Sequence, residues 1–157
     1  MAAGYQGGGI SVGVIQASAL CGARSMGTML DRIDRVTGVI IAFTLSAVGY
    51  TLFGLTEDPF SSGIVRPAIV LGMGETSTII AGNALIGQSA PAQIRGTVLG
   101  TYALAGATGI LIATALGGRL FDQWMPGGPF VLMGVINSIV LLAAVVVRIR
   151  TGRIVLR

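Results

Sequence analysis

Thr37-Gly38-Val39-Ile40-Ile41-Ala42-Phe43-Thr44-Leu45-Ser46-Ala47-Val48-Gly49-Tyr50-Thr51-Leu52-Phe53-Gly54-Leu55 runs from one loop to the next without a charge. Helical residues rise about 1.5 Å each, so this stretch reaches about 28 Å. That matches the roughly 30 Å hydrocarbon core of a bilayer. Lipid offers backbone N–H and C=O groups no partner, so a segment crossing it must satisfy them internally, as a helix does. Three more stretches read the same way. Ile64–Ser89 is apolar apart from Arg66 and Glu75, and neither Thr97–Gly118 nor Gly128–Val147 carries a charge. A fifth, Gly7–Ala23, is shorter and rich in glycine. It lacks the positive leading region of a signal peptide, and its basic residues follow the apolar run, so it reads as a span.

The prolines agree with these divisions. Pro59, Pro91, Pro126 and Pro129 fall in or beside the breaks, and Pro67 lies in the first turn of its segment. There its missing N–H costs little. The expected fold is therefore all-α and membrane-integral: one membrane domain over 1–157, with about five spans (7–23, 37–55, 64–89, 97–118 and 128–147) and a tail over 148–157.

Composition narrows the chemistry. Hydrophobic residues make up 53% of the 157 and charged residues 10%, and all ten basic residues are arginine. Without lysine or histidine there is no Schiff-base lysine, no Ser–His or Cys–His pair, and no histidine metal site. Cys21 is the single cysteine, so no internal disulfide forms. No enzyme, cofactor or metal is expected, and so few charges cannot track a nucleic acid. The implied partner is the lipid bilayer.

Arginine placement gives an orientation. Arg24, Arg32, Arg35, Arg95, Arg148, Arg150, Arg153 and Arg157 fall on one side of the predicted spans, and Arg66 and Arg119 on the other. The richer side is expected to be cytoplasmic, which puts the N-terminus outside and the C-terminus in the cytoplasm of, most simply, a bacterial cell. The tail alternates arginine with apolar residues, which suits anionic lipid headgroups. Trp124 and Tyr5 lie at predicted outer boundaries, where amphipathic rings anchor.

The loop between the first two spans reads Gly27-Thr28-Met29-Leu30-Asp31-Arg32-Ile33-Asp34-Arg35. It resembles the G-x-x-x-D-R-x-G-R signature of the major facilitator superfamily, with Asp34 where the family prefers glycine and Val36 where it prefers a basic residue. Pro91-Ala92-Gln93-Ile94-Arg95-Gly96 and Gly117-Gly118-Arg119-Leu120-Phe121-Asp122 are similar to the family's later segments. On that register the chain corresponds to spans 8 to 12 of a twelve-span secondary transporter, a partial bundle of the family type. The resemblance implies a cytoplasmic latch of Gly27, Asp31, Arg32 and Arg35, with Arg95 in the next cytoplasmic loop. It also implies that the helix end capped by Asp31 belongs to the amino-terminal half, the expected partner. A carboxylate suits a helix N-terminus, and arginines fork onto carboxylates or carbonyls. The alternative is a solvated loop whose arginines sit near lipid phosphates.

Glu75 falls near the middle of its predicted span, where a lone carboxylate costs roughly 2.5–3.5 kcal/mol on insertion scales. Thr78 and Gly82 share its helical face, with Asn83 to one side. Glu75, Thr78 and Asn83 are the candidates for a solute cavity or a proton-coupling site; the alternative is a glutamic acid hydrogen-bonded between packed helices. Arg66 is nine residues away on the opposite face and is expected to snorkel outward, near Glu57 or Asp58. Gln16, Tyr102 and Asn137 are expected to bond between helices. Ala105, Gly109, Ala113 and Gly117, with Gly96 and Gly100 before them, read as a close helix–helix seam or as a sliding surface. Gly72-Met73-Gly74 lacks the third glycine of a dinucleotide fingerprint.

The resulting expectation is transmembrane solute transport as the carboxy-terminal part of a secondary transporter, with proton coupling through Glu75 as one option. The alternative is a permease-derived membrane interaction protein without transport of its own. The solute itself is not written in these residues.

Overall fold

A computed structural model of the chain describes residues 2–56 and 62–151, with side chains over 12–56 and 63–150. Five α-helices follow one another: α1 (Ala2–Leu30), α2 (Arg35–Gly54), α3 (Val65–Ser89), α4 (Arg95–Gln123) and α5 (Gly128–Thr151). One 3-10 turn, Ser62–Ile64, leads into α3. Among the described residues there is no strand, and the all-α membrane bundle expected from the sequence is the fold found. Helices α2 to α5 are each long and apolar enough to cross a membrane. The glycine-rich α1 is not among those four.

Two helices run further than their apolar cores. α1 continues through Gly27 to Leu30, so the first part of the charged motif is helical and only Asp31–Asp34 forms the turn. Ser25 and Thr28 fit this extension by donating their hydroxyls to the carbonyls of Cys21 and Arg24, at 2.9 and 3.1 Å. Such back-bonding keeps a polar side chain satisfied without leaving the helix. α4 passes Gly118 and ends at Gln123. At about 43 Å it exceeds the hydrocarbon thickness, so its ends project or the helix tilts.

Between lipid-exposed helices there is little hydrophobic reason to associate, and close backbone approach decides what packs. Here α3 is the shared wall, packing on α1 along one side and on α2 along another, while α2 also packs along α5. The chain neighbours α1 and α2 touch only slightly. Gly72 and Gly74 explain the arrangement. A Cβ on Gly72 would run into the Ile15 carbonyl of α1, and one on Gly74 would come 2.6 Å from the Ser46 Cα of α2. Two residues apart on a helix is about 200° of rotation, so the two glycines serve opposite neighbours. Gly22 against Met73 and Gly49 against Leu71 complete the two crossings, at 2.8 and 2.7 Å for the same hypothetical carbon. Buried Met26, Val39, Ala42 and Ala81 close the end where α1, α2 and α3 converge on the charged turn.

α4 is different. Its apolar window has no buried residue, and it touches α3 near its start and α5 along its second half. Near its start, the Tyr102 hydroxyl lies against Gly82 of α3, and near its close Gly117 faces Pro129 of α5. The seam expected along this helix is therefore realised only toward its close, at half-buried Ala113 and buried Gly117. Cβ atoms on Gly96, Gly100 and Gly109 would stand in open space, and Ala105 is exposed.

Candidate functional site

The charged turn joins two helices that barely touch. Asp31, Arg32 and Arg35 are exposed, and among the described residues their side chains meet no hydrogen-bonding partner. Gly27 has no neighbour close enough to meet an added Cβ. Across the end of the bundle, Arg95 directs Nη2 to the Ala90 carbonyl at 3.5 Å, a long and local contact. Asp31 caps no helix within the described residues.

Asp34, the residue that departs from the signature, has a partner. It occupies the N-cap position of α2 with extended backbone, yet its side chain makes no capping bond. Arg148 in the last turn of α5 donates Nη1 to Asp34 Oδ2 at 2.7 Å and to Thr37 Oγ1 at 2.6 Å. The α5 carbonyl end favours a cation there. The pair is half-buried, with 20% of the Arg148 side chain and 38% of Asp34 exposed. Nothing in the local sequence pointed to it, because the partners are 114 residues apart.

Glu75 is the eleventh of the 25 residues of α3 and is exposed within this chain. Every other described charge lies in a turn or within about two turns of a helix end. Thr78 donates its hydroxyl to the Glu75 backbone carbonyl at 2.7 Å, leaving its lone pairs outward. One turn further, Gly82 makes room for the Tyr102 hydroxyl, 2.8 Å from where a Cβ would sit. Tyr50 of α2 lies close enough to interact electrostatically with Glu75. Glu75, Thr78 and Gly82 thus follow one another along α3, with Asn83 exposed beside them and the Tyr102 hydroxyl of α4 against Gly82. Arg66 is exposed in the first turn of α3 and does not join this group.

The remaining polar residues turn inward on their own helices. Asn137 donates Nδ2 to the Met133 carbonyl at 2.8 Å, a bond within α5 and not between helices. Gln16 is exposed. Trp124 caps α4 and is exposed at its far end. The expected roles of Tyr5, of Glu57 and Asp58 beside Arg66, and of the tail beyond Thr151 lie outside the described side chains. At the end of the bundle away from the charged turn, Phe53 and Phe130 pack with centroids 4.7 Å apart. They line an apolar hollow of about 510 Å³ with Ile64 and Met125, and it does not include Glu75.

An apolar helical bundle with a charged turn at one end and a single mid-helix carboxylate has the makings of an integral membrane protein. The Major Facilitator Superfamily profile matches residues 4–154. The chain belongs to that family, whose members are transporters. It is similar to the magnetosome protein MamH of Paramagnetospirillum magneticum, 31% identical over 132 residues, which are 84% of this chain and 31% of that protein. The magnetosome protein MamZ of Magnetospirillum gryphiswaldense is 27% identical over 135 residues, 86% of this chain and 21% of its own length. The cis,cis-muconate transport protein of Acinetobacter baylyi is 34% identical over 97 residues, 62% of this chain and 23% of that protein. The chain spans about a third or less of the curated relatives it matches. No solved structure matches it.

Proposed function

We propose that this chain is the carboxy-terminal part of a secondary transporter that carries a small solute across a bacterial plasma membrane, and that Glu75 faces the solute path. The observation that supports this is Glu75 itself, exposed at mid-helix on α3, the helix that packs on both α1 and α2. Intramembrane carboxylates are costly unless they face a wet cavity or a partner, so they mark pathways for ions, protons or solutes. Thr78, Asn83 and the Tyr102 hydroxyl supply neutral hydrogen-bonding groups around it. The proposed partner is the rest of the transporter, which would cover the open face of α4 and complete the cavity between two rocking halves. Asp31, Arg32 and Arg35, exposed and without a partner among the described residues, would then latch to that part. In the complete transporter, Glu75→Gln should abolish the pH dependence of uptake or uptake itself, measured in inverted vesicles. Unchanged pH-dependent uptake would remove Glu75 from the path.

A second reading is a membrane assembly component without transport of its own. It is favoured by the names of two relatives, which are magnetosome proteins. Purification of the native polypeptide in a defined complex that shows no uptake would favour this reading over the first.

A further inference from the structure

We propose that Asp34 and Arg148 form a clamp within this chain that fixes the signature turn to the end of α5, independently of any other part of a transporter. α1 and α2 are joined by four residues, Asp31–Asp34, yet they pack on each other only slightly. Helix contact therefore does not hold the turn in place. α1 is fixed through α3, by Gly72 against Ile15 and Gly22 against Met73. The start of α2 is tied to α5 by one guanidinium nitrogen that reaches both Asp34 Oδ2 and Thr37 Oγ1. It is the only ion pair among the described residues. The other ends of these two helices are also joined: Gly54 and Gly127 approach so closely that neither tolerates a side chain, and Phe53 stacks on Phe130. α2 and α5 are thereby fastened at both ends into one rigid pair. Asp34 is thus no degraded copy of a glycine. It converts the last position of the turn from a flexible joint into an anchor, and leaves the exposed Asp31, Arg32 and Arg35 to meet another surface. Charge does most of the work, so Lys at 148 should retain much of the clamp, although it lacks the guanidinium fork.

The test uses the full chain in liposomes, with Cys21→Ala and spin labels on cysteines at Arg32 and Arg150, both exposed. Pulsed electron resonance then reads the distance distribution between the turn and α5. The unaltered clamp should give one narrow peak. Arg148→Gln and Asp34→Asn should each raise the broad, loosened fraction about 1.4- to 5-fold, the range expected for a partly exposed ion pair. The exchange Asp34→Arg with Arg148→Asp should restore the narrow peak, and Arg148→Lys should stay close to it. An unchanged distribution in the single variants would overturn the clamp. So would an Arg148→Lys variant as broad as Arg148→Gln, since charge would then be irrelevant. Uptake is not measured, so the result stands apart from the transport reading.

Discussion

Gly72 and Gly74 set the arrangement of three helices with no side chain at all. Gly74 meets backbone alone and Gly72 meets the Ile15 carbonyl beside the Ser18 hydroxyl, so a change of rotamer in the neighbour relieves neither contact. Gly74→Val should therefore cost at least the 1–3 kcal/mol or so typical of overpacking, read as a lower melting temperature of the chain in detergent. Gly13→Val, at a position with open space, is the matching control and should leave the melting temperature nearly unchanged. If both variants melted together, the α2–α3 crossing would not depend on close backbone approach. These two glycines also mark the limit of what the sequence discloses. Gly72-Met73-Gly74 can be dismissed as a nucleotide fingerprint from its spacing, but its real role depends on residues 15 and 46, which no local pattern indicates. Asp34 is the same case: beside its neighbours it is a flaw in a signature, and beside Arg148 it is a partner. Glu75 was readable because a charge amid apolar residues announces itself, wherever its neighbours lie.

α4 shows how an element can be correct in outline and incomplete in contact. Its span follows from hydropathy, and its four-residue spacing of small residues states that something packs closely there. Among the described residues Ala113 and Gly117 lie against α5, while Gly96, Gly100 and Gly109 face open space. The rest of the stripe is thus a surface whose counterpart the described residues do not supply. Gly109→Leu should change the melting temperature of this chain by little, about 0.5 kcal/mol or less in stability, because the added side chain enters open space. The same substitution should block assembly with the remainder of the transporter, measured by co-purification of the two parts. Undiminished co-purification would show that the stripe faces lipid in the complete protein. α1 and α4 also show why helix ends are harder to read than helix centres. Hydropathy ends where charges begin, whereas the backbone continues through Gly27-Thr28-Met29-Leu30 and Arg119-Leu120-Phe121-Asp122 as long as each turn can satisfy its own groups.

The five helices share one polarity of charge. The end holding the signature turn carries Arg24, Arg32, Arg35, Arg95, Arg148 and Arg150 among the described residues, against Asp31 and Asp34. The opposite end carries Arg66 and Arg119 against Asp122. If the richer end faces the cytoplasm, a membrane-impermeant maleimide added to intact cells should label a cysteine at Gln123 and spare one at Gln93, in a Cys21→Ala background. Both positions are exposed and lie at opposite ends of α4, at its close and just before its start. The reverse pattern would invert the topology.

The contact between Arg148 and Asp34 also has a place in time. A ribosome adds roughly 5–20 residues each second, so the partner of Asp34 is polymerised about 6 to 23 seconds after it. Throughout that interval the turn is already made while its fastening does not yet exist. α3 can settle between α1 and α2 during synthesis, since its glycines arrive early, but the turn is locked only when α5 has entered the bilayer. The newborn segment thus passes through a stage in which its charged end is unfastened and its walls are built, and closure of that end reports that α5 has inserted.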